Sequence, residues 1–169
     1  MKRFLAGLML AGSVLVAPMA NAQLAEPVVG VANPDALFTS PDPKLNTNKQ
    51  AAYHIVKELL ECGHWEMADK WLTPAYHQHN PLAASGRDSV VTFFTKVMKM
   101  QPKQCPEKMK TKVVAVIAEG DYVTVLTPRE MKNPKDPTKT YTTTWFDTWR
   151  FVGGKADEHW DPAVLGATP

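Results

Sequence analysis

The sequence lacks the motifs that identify several large classes of enzymes. It contains no G-x-S-x-G nucleophile elbow and no glycine-rich phosphate-binding loop. Its 169 residues include only two cysteines, too few for a cysteine-based zinc site. A Ser-His-Asp hydrolase and a nucleotide-dependent enzyme are therefore not indicated, and we expect no cofactor.

The sequence also has no apolar run long enough to span a bilayer, which takes about 20 residues. Its longest apolar segment, residues 4–16, follows the basic pair Lys2-Arg3 and precedes an A-x-A sequence that ends at Ala22. These are the three parts of a secretory signal peptide. We predict that residues 1–22 are cleaved off and that the protein is periplasmic or secreted, without membrane contact after cleavage. An uncleaved membrane anchor is the alternative.

The chain that remains after this cleavage has no excess of charge of either sign. The whole sequence has 19 Lys+Arg and 17 Asp+Glu, and loss of Lys2 and Arg3 makes the two counts equal. Binding to the phosphate backbone of a nucleic acid therefore has no electrostatic support. We expect no nucleic-acid partner.

The two cysteines, Cys62 and Cys105, allow a disulfide bond. In an exported protein an even pair can be oxidised, and both residues are predicted to lie near helix ends. Two separate buried thiols are the alternative, and the sequence leaves both open.

The first half of the mature chain changes from a proline-rich segment to helices. Residues 23–45 are rich in proline and small residues and predict an extended N-terminal arm. A domain is predicted from residue 46 to residue 169, beginning with a capping box at Thr47. Apolar residues at helical spacing predict three helices, over residues 47–62, 64–72 and about 85–100. Residues 75–81 are expected to form an irregular connection or a short extended piece.

The second half of the chain has the pattern of strands. Strands are predicted over residues 111–118 and 122–127, and a hairpin is predicted within residues 140–162, with its turn at Gly153-Gly154. A loop is expected over residues 133–138. Helices followed by antiparallel strands indicate an α+β fold, with the helices packed on one face of a curved sheet.

Four short segments resemble the SnoaL-like branch of the nuclear transport factor 2-like superfamily. They are YHQHNP at residues 76–81, EGD at 119–121, FDTWRF at 146–151 and GKADEHWD at 154–161. The resemblance covers about residues 46–165. It implies a cone, in which a bent sheet wraps around the helices and a pocket opens at one end. It also implies cofactor-free acid/base chemistry, such as an intramolecular aldol step.

Asp147 is the first predicted catalytic residue. The resemblance to the strand motif of ketosteroid isomerase gives it the role of an acid or base. Alternation places one face of the long strand toward the pocket, with Tyr141, Thr143, Trp145, Asp147, Trp149 and Phe151 on it. Aromatic neighbours favour the neutral form of a carboxyl group. The alternative is a structural Asp147 bonded to a neighbouring hydroxyl group or to Arg150.

His159 and Asp161 are predicted to share the opposite strand of the hairpin. His159 is suited to act as a general base near neutral pH, and Asp161 takes the place of an acid/base Asp that SnoaL-type cyclases carry on the last strand. A two-residue turn would pair Asp147 with Trp160, and a one-residue bulge would pair it with His159. The alternative for His159 is a half-exposed side chain near a strand end.

His79 and Asn80 lie where the family carries polar pocket residues. The resemblance therefore implies proton transfer for His79 and substrate binding for Asn80. The alternative is that these residues form a turn. The pair His77-x-His79 has the spacing of two metal ligands on a strand, but this spacing alone is a weak signal, and we expect no metal.

Aromatic residues are expected to complete the substrate site. Tyr76, Trp145, Trp149 and Trp160 are predicted to contact the ligand and to exclude water. We therefore predict an aldol cyclase, isomerase or lyase that acts on a small apolar or aromatic compound with a carbonyl or hydroxyl group.

Two other functions and one assembly are open at this point. The same pocket could serve a non-catalytic periplasmic binding module or a metal-dependent enzyme. Family members commonly pair through the outer face of the sheet, so we expect a homodimer formed through Phe146 and the valines of residues 113–117.

Overall fold

The structure, a computed structural model, describes residues 26–166. The predicted signal peptide lies outside the described residues, and its cleavage stays a prediction. Within residues 26–166, no helix combines the length and the apolar character needed to cross a membrane.

Helix α1 spans Pro43–His54 and continues as a π-helical segment over Ile55–Glu61. Its N-cap is Asp42, whose side chain accepts a hydrogen bond from the backbone N–H of Leu45 at 2.8 Å. This cap satisfies one of the free N–H groups of the first turn. The capping box predicted at Thr47 is wrong, because the helix has already begun at a proline one turn earlier.

The segment before α1 is not extended throughout. It contains a 3-10 helix at Pro34–Phe38, and Phe38 is fully buried in the core. The backbone N–H of Val31 donates to the carbonyl of Val113 at 2.8 Å. The described part of the predicted arm is therefore packed onto the domain.

Two further helices lie where the apolar periodicity predicted them. A 3-10 turn at Trp65–Met67 leads into helix α2, Ala68–Trp71. Helix α3 spans Arg87–Thr92 and continues as a π-helical segment over Phe93–Val97.

A disulfide bond joins Cys62 and Cys105, whose Cα atoms are 5.4 Å apart. It links the C-terminal end of the long first helix to the irregular segment that precedes the strand at Ala115–Glu119. His64 reinforces the link, because its Nε2 lies 2.9 Å from the carbonyl oxygen of Lys103. This segment is therefore held to the helices covalently as well as by hydrogen bonds.

We expect removal of this disulfide to lower the free energy of unfolding. The bond closes a loop with a sequence separation of 43, and constraining a loop of that length in the unfolded chain stabilises a protein by about 2–4 kcal/mol. Urea unfolding of the Cys62→Ala/Cys105→Ala variant measures the loss. Wild-type protein melted with and without a thiol reductant is the control, and an unchanged midpoint in both experiments would contradict the expectation.

A five-stranded sheet forms the rest of the domain. Its strands are β1 (Leu72–Gln78), β2 (Ala115–Glu119), β3 (Tyr122–Asn133), β4 (Asp136–Val152) and β5 (Lys155–Trp160). The order across the sheet is β1-β5-β4-β3-β2, with β1 parallel to β5 and the other pairs antiparallel. The predicted α+β class is confirmed. Residues 75–81, expected to be an irregular connection or a short extended piece, belong largely to the edge strand β1. The loop expected over residues 133–138 is only a tight turn between β3 and β4.

The pairing of β4 with β5 contains a bulge that changes the predicted register. Trp149 pairs with His159 and Thr148 with Trp160, with an irregularity next to Phe151. Both predicted partners of Asp147 are therefore wrong. The extra residue is on β5, not on β4, because the side chain of Asp157 is held there by Arg150 and by the hydroxyl group of Thr73.

The helices pack on the concave face of the sheet. The largest fully buried side chain is Trp149, on β4, and Val123 and Val125 lie beside it on β3. Leu59 and Phe38 close the core from the helical side. Several of these core side chains, among them Leu59 and Trp149, also line a cavity on this face.

Candidate active site

A cavity of about 860 Å³ lies between the concave face of the sheet and the helices. Its helical wall is apolar and includes Leu59, Phe93 and Phe94, whereas the sheet contributes the ionisable side chains. Volumes in this range hold small organic ligands. Most of the predicted site residues line it, namely Tyr76, Asn80, Trp145, Asp147, Trp149, His159 and Asp161.

Asp147 and His159 face each other inside the cavity. Their Oδ1 and Nε2 atoms are 3.1 Å apart, and their side chains are 19% and 9% exposed, respectively. On the other side of the ring, Nδ1 lies 2.8 Å from Oε1 of Gln78. Gln78 at the end of β1 thus fixes the orientation of the imidazole.

These contacts define where a proton resides. The 3.1 Å contact between His159 Nε2 and Asp147 Oδ1 is a hydrogen bond, so one proton lies between the two atoms. Asp147 and His159 therefore share one proton, either on the ring beside a carboxylate or on the carboxyl group beside a neutral ring.

The carboxyl group of Asp147 is held from one side only. Its Oδ1 accepts from Nε1 of Trp145 at 3.2 Å as well as contacting His159. No described residue hydrogen-bonds to its other oxygen, Oδ2. That oxygen is therefore available to a ligand in the cavity.

Tyr76 lies beneath this pair and is almost fully buried. Its hydroxyl oxygen accepts a hydrogen bond from Nε1 of Trp149 at 3.0 Å. Burial, aided by the nearby charges of Asp147 and Asp161, raises the pKa of the Tyr76 phenol well above its ordinary value. Tyr76 is thus a neutral hydroxyl group that can donate a hydrogen bond but cannot act as a base.

Asp161 completes the polar side of the cavity. Its Oδ2 accepts from Nδ2 of Asn80 at 2.6 Å, and its Oδ1 accepts from the backbone N–H of Ala163 at 2.9 Å. One ligand atom each of Asp147, His159 and Asp161 lie within 4.8 Å of one another. This donor set is chemically suited to a divalent cation, although it differs from the set suggested by the His77-x-His79 spacing.

His79 and Trp160 lie on the opposite, convex side of the sheet. The two rings stack with centroids 4.4 Å apart, and Nε2 of His79 lies 2.9 Å from Glu158. Neither residue lines the cavity. Their predicted roles in proton transfer and substrate contact do not fit this position, because strand alternation turns them away from Gln78 and His159.

An ion cluster explains why this outer side is polar. Arg150 bridges Asp157 and Glu158. The hydrogen bond from His79, followed by that from Arg150, holds the pKa of Glu158 below its usual range. Arg150 is therefore paired here and does not contact Asp147, so it is not the structural partner that the alternative for Asp147 offered beside a neighbouring hydroxyl group.

Sequence reasoning missed three polar residues of the cavity, Gln78, Arg129 and Thr144. If this segment had been interpreted as a strand, alternation would have placed Gln78 on the cavity face together with Tyr76 and Asn80. Arg129 lies on β3 opposite Thr143 of β4, and its guanidinium carbon is 3.9 Å from the centroid of the Trp145 ring. No sequence signal distinguished it from a surface arginine.

Comparisons with known proteins agree with this fold. Similar solved structures include a candidate SnoaL-like polyketide cyclase from Jannaschia sp. CCS1, with 15% identity, a TM-score of 0.52 and coverage of 73% of this chain and 91% of that one. A candidate polyketide cyclase from Acidithiobacillus ferrooxidans has 18% identity, a TM-score of 0.50 and coverage of 73% and 89%. A nuclear transport factor 2-like protein of unknown function from Burkholderia pseudomallei has 19% identity, a TM-score of 0.50 and coverage of 70% and 91%.

These identities show the shared fold and nothing about the reaction. No curated protein matches the chain in sequence. The family model of the SnoaL-like domain matches residues 54–159, which is more than half of the chain. As its motifs predicted, the chain belongs to the SnoaL-like domain family and has the nuclear transport factor 2-like fold.

Proposed function

We propose that the protein is a cofactor-free acid/base enzyme. It removes a proton from the carbon atom next to the carbonyl group of a small apolar or aromatic compound. The reaction is an aldol cyclisation, an isomerisation or an elimination. The observation that carries this proposal is the 3.1 Å hydrogen bond between Asp147 and His159 at the wall of a largely apolar cavity.

The geometry supplies a base with a free oxygen. Oδ2 of Asp147 faces no described partner and removes the proton from the carbon atom next to the carbonyl. His159 stabilises the carboxylate through Oδ1, and Gln78 keeps the ring aligned. The apolar wall strengthens these electrostatic interactions by excluding water.

The enolate that forms needs a hydrogen-bond donor. Tyr76 fits this role, because its oxygen already accepts from Trp149 and its own proton has no described acceptor. Since burial keeps the phenol neutral, the donor is retained throughout the pH range of the reaction. Asn80 is engaged with Asp161 and holds that carboxylate in place.

Proton exchange tests the proposal without knowledge of the natural substrate. Small bicyclic ketones, 1-tetralone and 2-tetralone, are incubated with the protein in D2O, and loss of the proton signals next to the carbonyl is followed by NMR. Exchange well above the buffer rate supports the enzyme. Binding of the ketones without exchange would instead favour the non-catalytic binding module.

We expect the exchange to survive metal removal and to be inhibited by zinc. A zinc ion on Asp147, His159 and Asp161 would take the Nε2 and Oδ1 atoms that share the proton. Metal binding requires these ligands to be deprotonated, so we expect Zn²⁺ to slow exchange by about tenfold or more. The measurement compares EDTA-treated protein with and without added Zn²⁺. Loss of exchange after EDTA and recovery with Zn²⁺ would identify a metal-dependent enzyme.

We also propose that the protein is exported and that residues 1–22 are removed. The Cys62–Cys105 disulfide supports an oxidising compartment. Intact-mass measurement of the protein from periplasmic extract tests this, since cleavage after Ala22 predicts Gln23 as the first residue.

A homodimer through the convex face of the sheet is a further proposal. Phe146 and Ile117 are 45% and 59% exposed on this face. Two of the valines suggested from sequence do not fit, because Val113 is fully buried and Val116 packs against the core. Light scattering of wild type and Phe146→Glu measures the effect, and we expect the variant to be monomeric.

A further inference from the structure

Arg129 is the unexplained cation of the cavity. It lies on β3, lines the cavity on the sheet side and is half-buried. Its guanidinium group lies over the indole of Trp145, a contact that is attractive because the aromatic face is negative. Nothing in the proton transfer proposed above uses this group.

Within residues 26–166, Arg129 differs from the other two arginines. Arg150 is paired with two carboxylates, and Arg87 lies 3.5 Å from Asp88. No carboxylate of the described residues lies within ion-pair distance of Arg129, and no side-chain hydrogen bond joins it to them. Arg129 lines a cavity that is otherwise mainly apolar.

Trp145 connects this cation to the proposed reaction site. The Nε1 atom of its indole donates to Asp147, while the face of the same ring supports Arg129. A ligand group bound by Arg129 would therefore be about one indole ring away from the carboxyl group that removes the proton. One bicyclic ligand can contact both residues.

We propose that the ligand of this cavity carries a carboxylate group, which Arg129 binds beside Trp145. The guanidinium group presents a planar fork of donors that matches the two oxygens of a carboxylate. A single cation balances a single negative charge. A phosphate dianion would also meet the carboxylates of Asp147 and Asp161 without a second cation to offset them. The proposal rests on the proposed function for the position of the reacting carbonyl group.

Isothermal titration with matched ligands tests this inference. The probes are 6-hydroxy-2-naphthoate and its methyl ester, which share the ring system and hydroxyl group but differ in charge. Wild type is compared with Arg129→Gln, which keeps a polar side chain, and with Arg129→Lys, which keeps the charge but not the fork.

We expect wild type to bind the acid about tenfold more tightly than the ester, as a charge-assisted hydrogen-bond pair provides. Arg129→Gln should lose this preference and retain the affinity for the ester, which also shows that the variant is folded. Arg129→Lys should keep part of the preference. Equal binding of acid and ester by wild type, no binding of the acid, or equal weakening of both ligands in Arg129→Gln would overturn the proposal.

The tetralone exchange experiment shows whether a negative result concerns the carboxylate site or the proposed acid/base enzyme. Those ketones carry no charge, so their exchange does not require Arg129. Exchange without a preference for the acid would leave the acid/base enzyme standing and refute the carboxylate site. A preference for the acid that depends on Arg129, without exchange, would indicate a binding module for organic acids.

Discussion

Replacement of Asp147 by asparagine is expected to slow tetralone exchange by about a thousandfold, within the range found for loss of a general base. The amide has nearly the same shape and can still accept from Trp145. It cannot take a proton, and it removes the shared proton that links this residue to His159. The rate constant of exchange, measured by NMR under saturating ketone, gives the loss in the chemical step.

Two comparisons make this result specific. His79→Gln changes an ionisable side chain that lies outside the cavity, and its exchange rate should equal that of wild type. A panel of phenols with graded acidity, followed by tryptophan fluorescence, should bind wild type with an affinity that depends on the acidity of the phenol. That dependence should disappear in Tyr76→Phe, which lacks the proposed donor to the enolate oxygen. Unchanged exchange in Asp147→Asn would remove Asp147 from the reaction.

Truncation of Trp149 to alanine is expected to destabilise the fold by about 3–5 kcal/mol, as for other buried tryptophans. The side chain is 1% exposed and is the largest of those fully buried in the core. Its loss also takes the hydrogen-bond donor from Tyr76, whose hydroxyl group is buried. Urea unfolding monitored by circular dichroism measures the change.

The hydrogen bond can be separated from the packing. Trp149→Phe keeps most of the bulk but leaves the Tyr76 oxygen without its donor, at an expected cost of about 1–3 kcal/mol for an unsatisfied buried group. Tyr76→Phe removes the other partner. In the double variant no polar atom of the pair is left, so its cost should be smaller than the sum of the single changes. An additive result would show that the hydrogen bond contributes little.

The sequence was sufficient for the fold class and for most of the cavity wall. Alternation along β4 correctly placed Trp145, Asp147 and Trp149 on the inner face, because a strand with a period of two leaves no freedom once one face is buried. Strand β1 was predicted only as one of two options, a short extended piece, since Pro74 and the polar residues that follow Tyr76 obscure the period of two. Its partner, β5, is distant in the sequence, and no local pattern reports that pairing.

The register of the last hairpin could not be obtained from local residues. Gly153-Gly154 specifies a turn, but the bulge that follows depends on contacts of Asp157 with Arg150 and Thr73. Thr73 belongs to β1, which begins before the extended piece that was predicted over residues 75–81. His79 and Trp160 were assigned to the site because their neighbours belong there, and the single-residue spacing of a strand places such neighbours on opposite faces.

The bulge at Asp157 determines which residues of β5 face the cavity, because it shifts the alternation of side chains by one position. Beyond it, the odd-numbered His159 and Asp161 face inward. If the same residues paired without the bulge, the assignment would reverse, so that Glu158 and Trp160 faced inward and His159 faced outward. The one unpaired residue of this hairpin therefore determines whether β5 presents His159 or Trp160 to the cavity, although the sequence of the strand is the same in both cases.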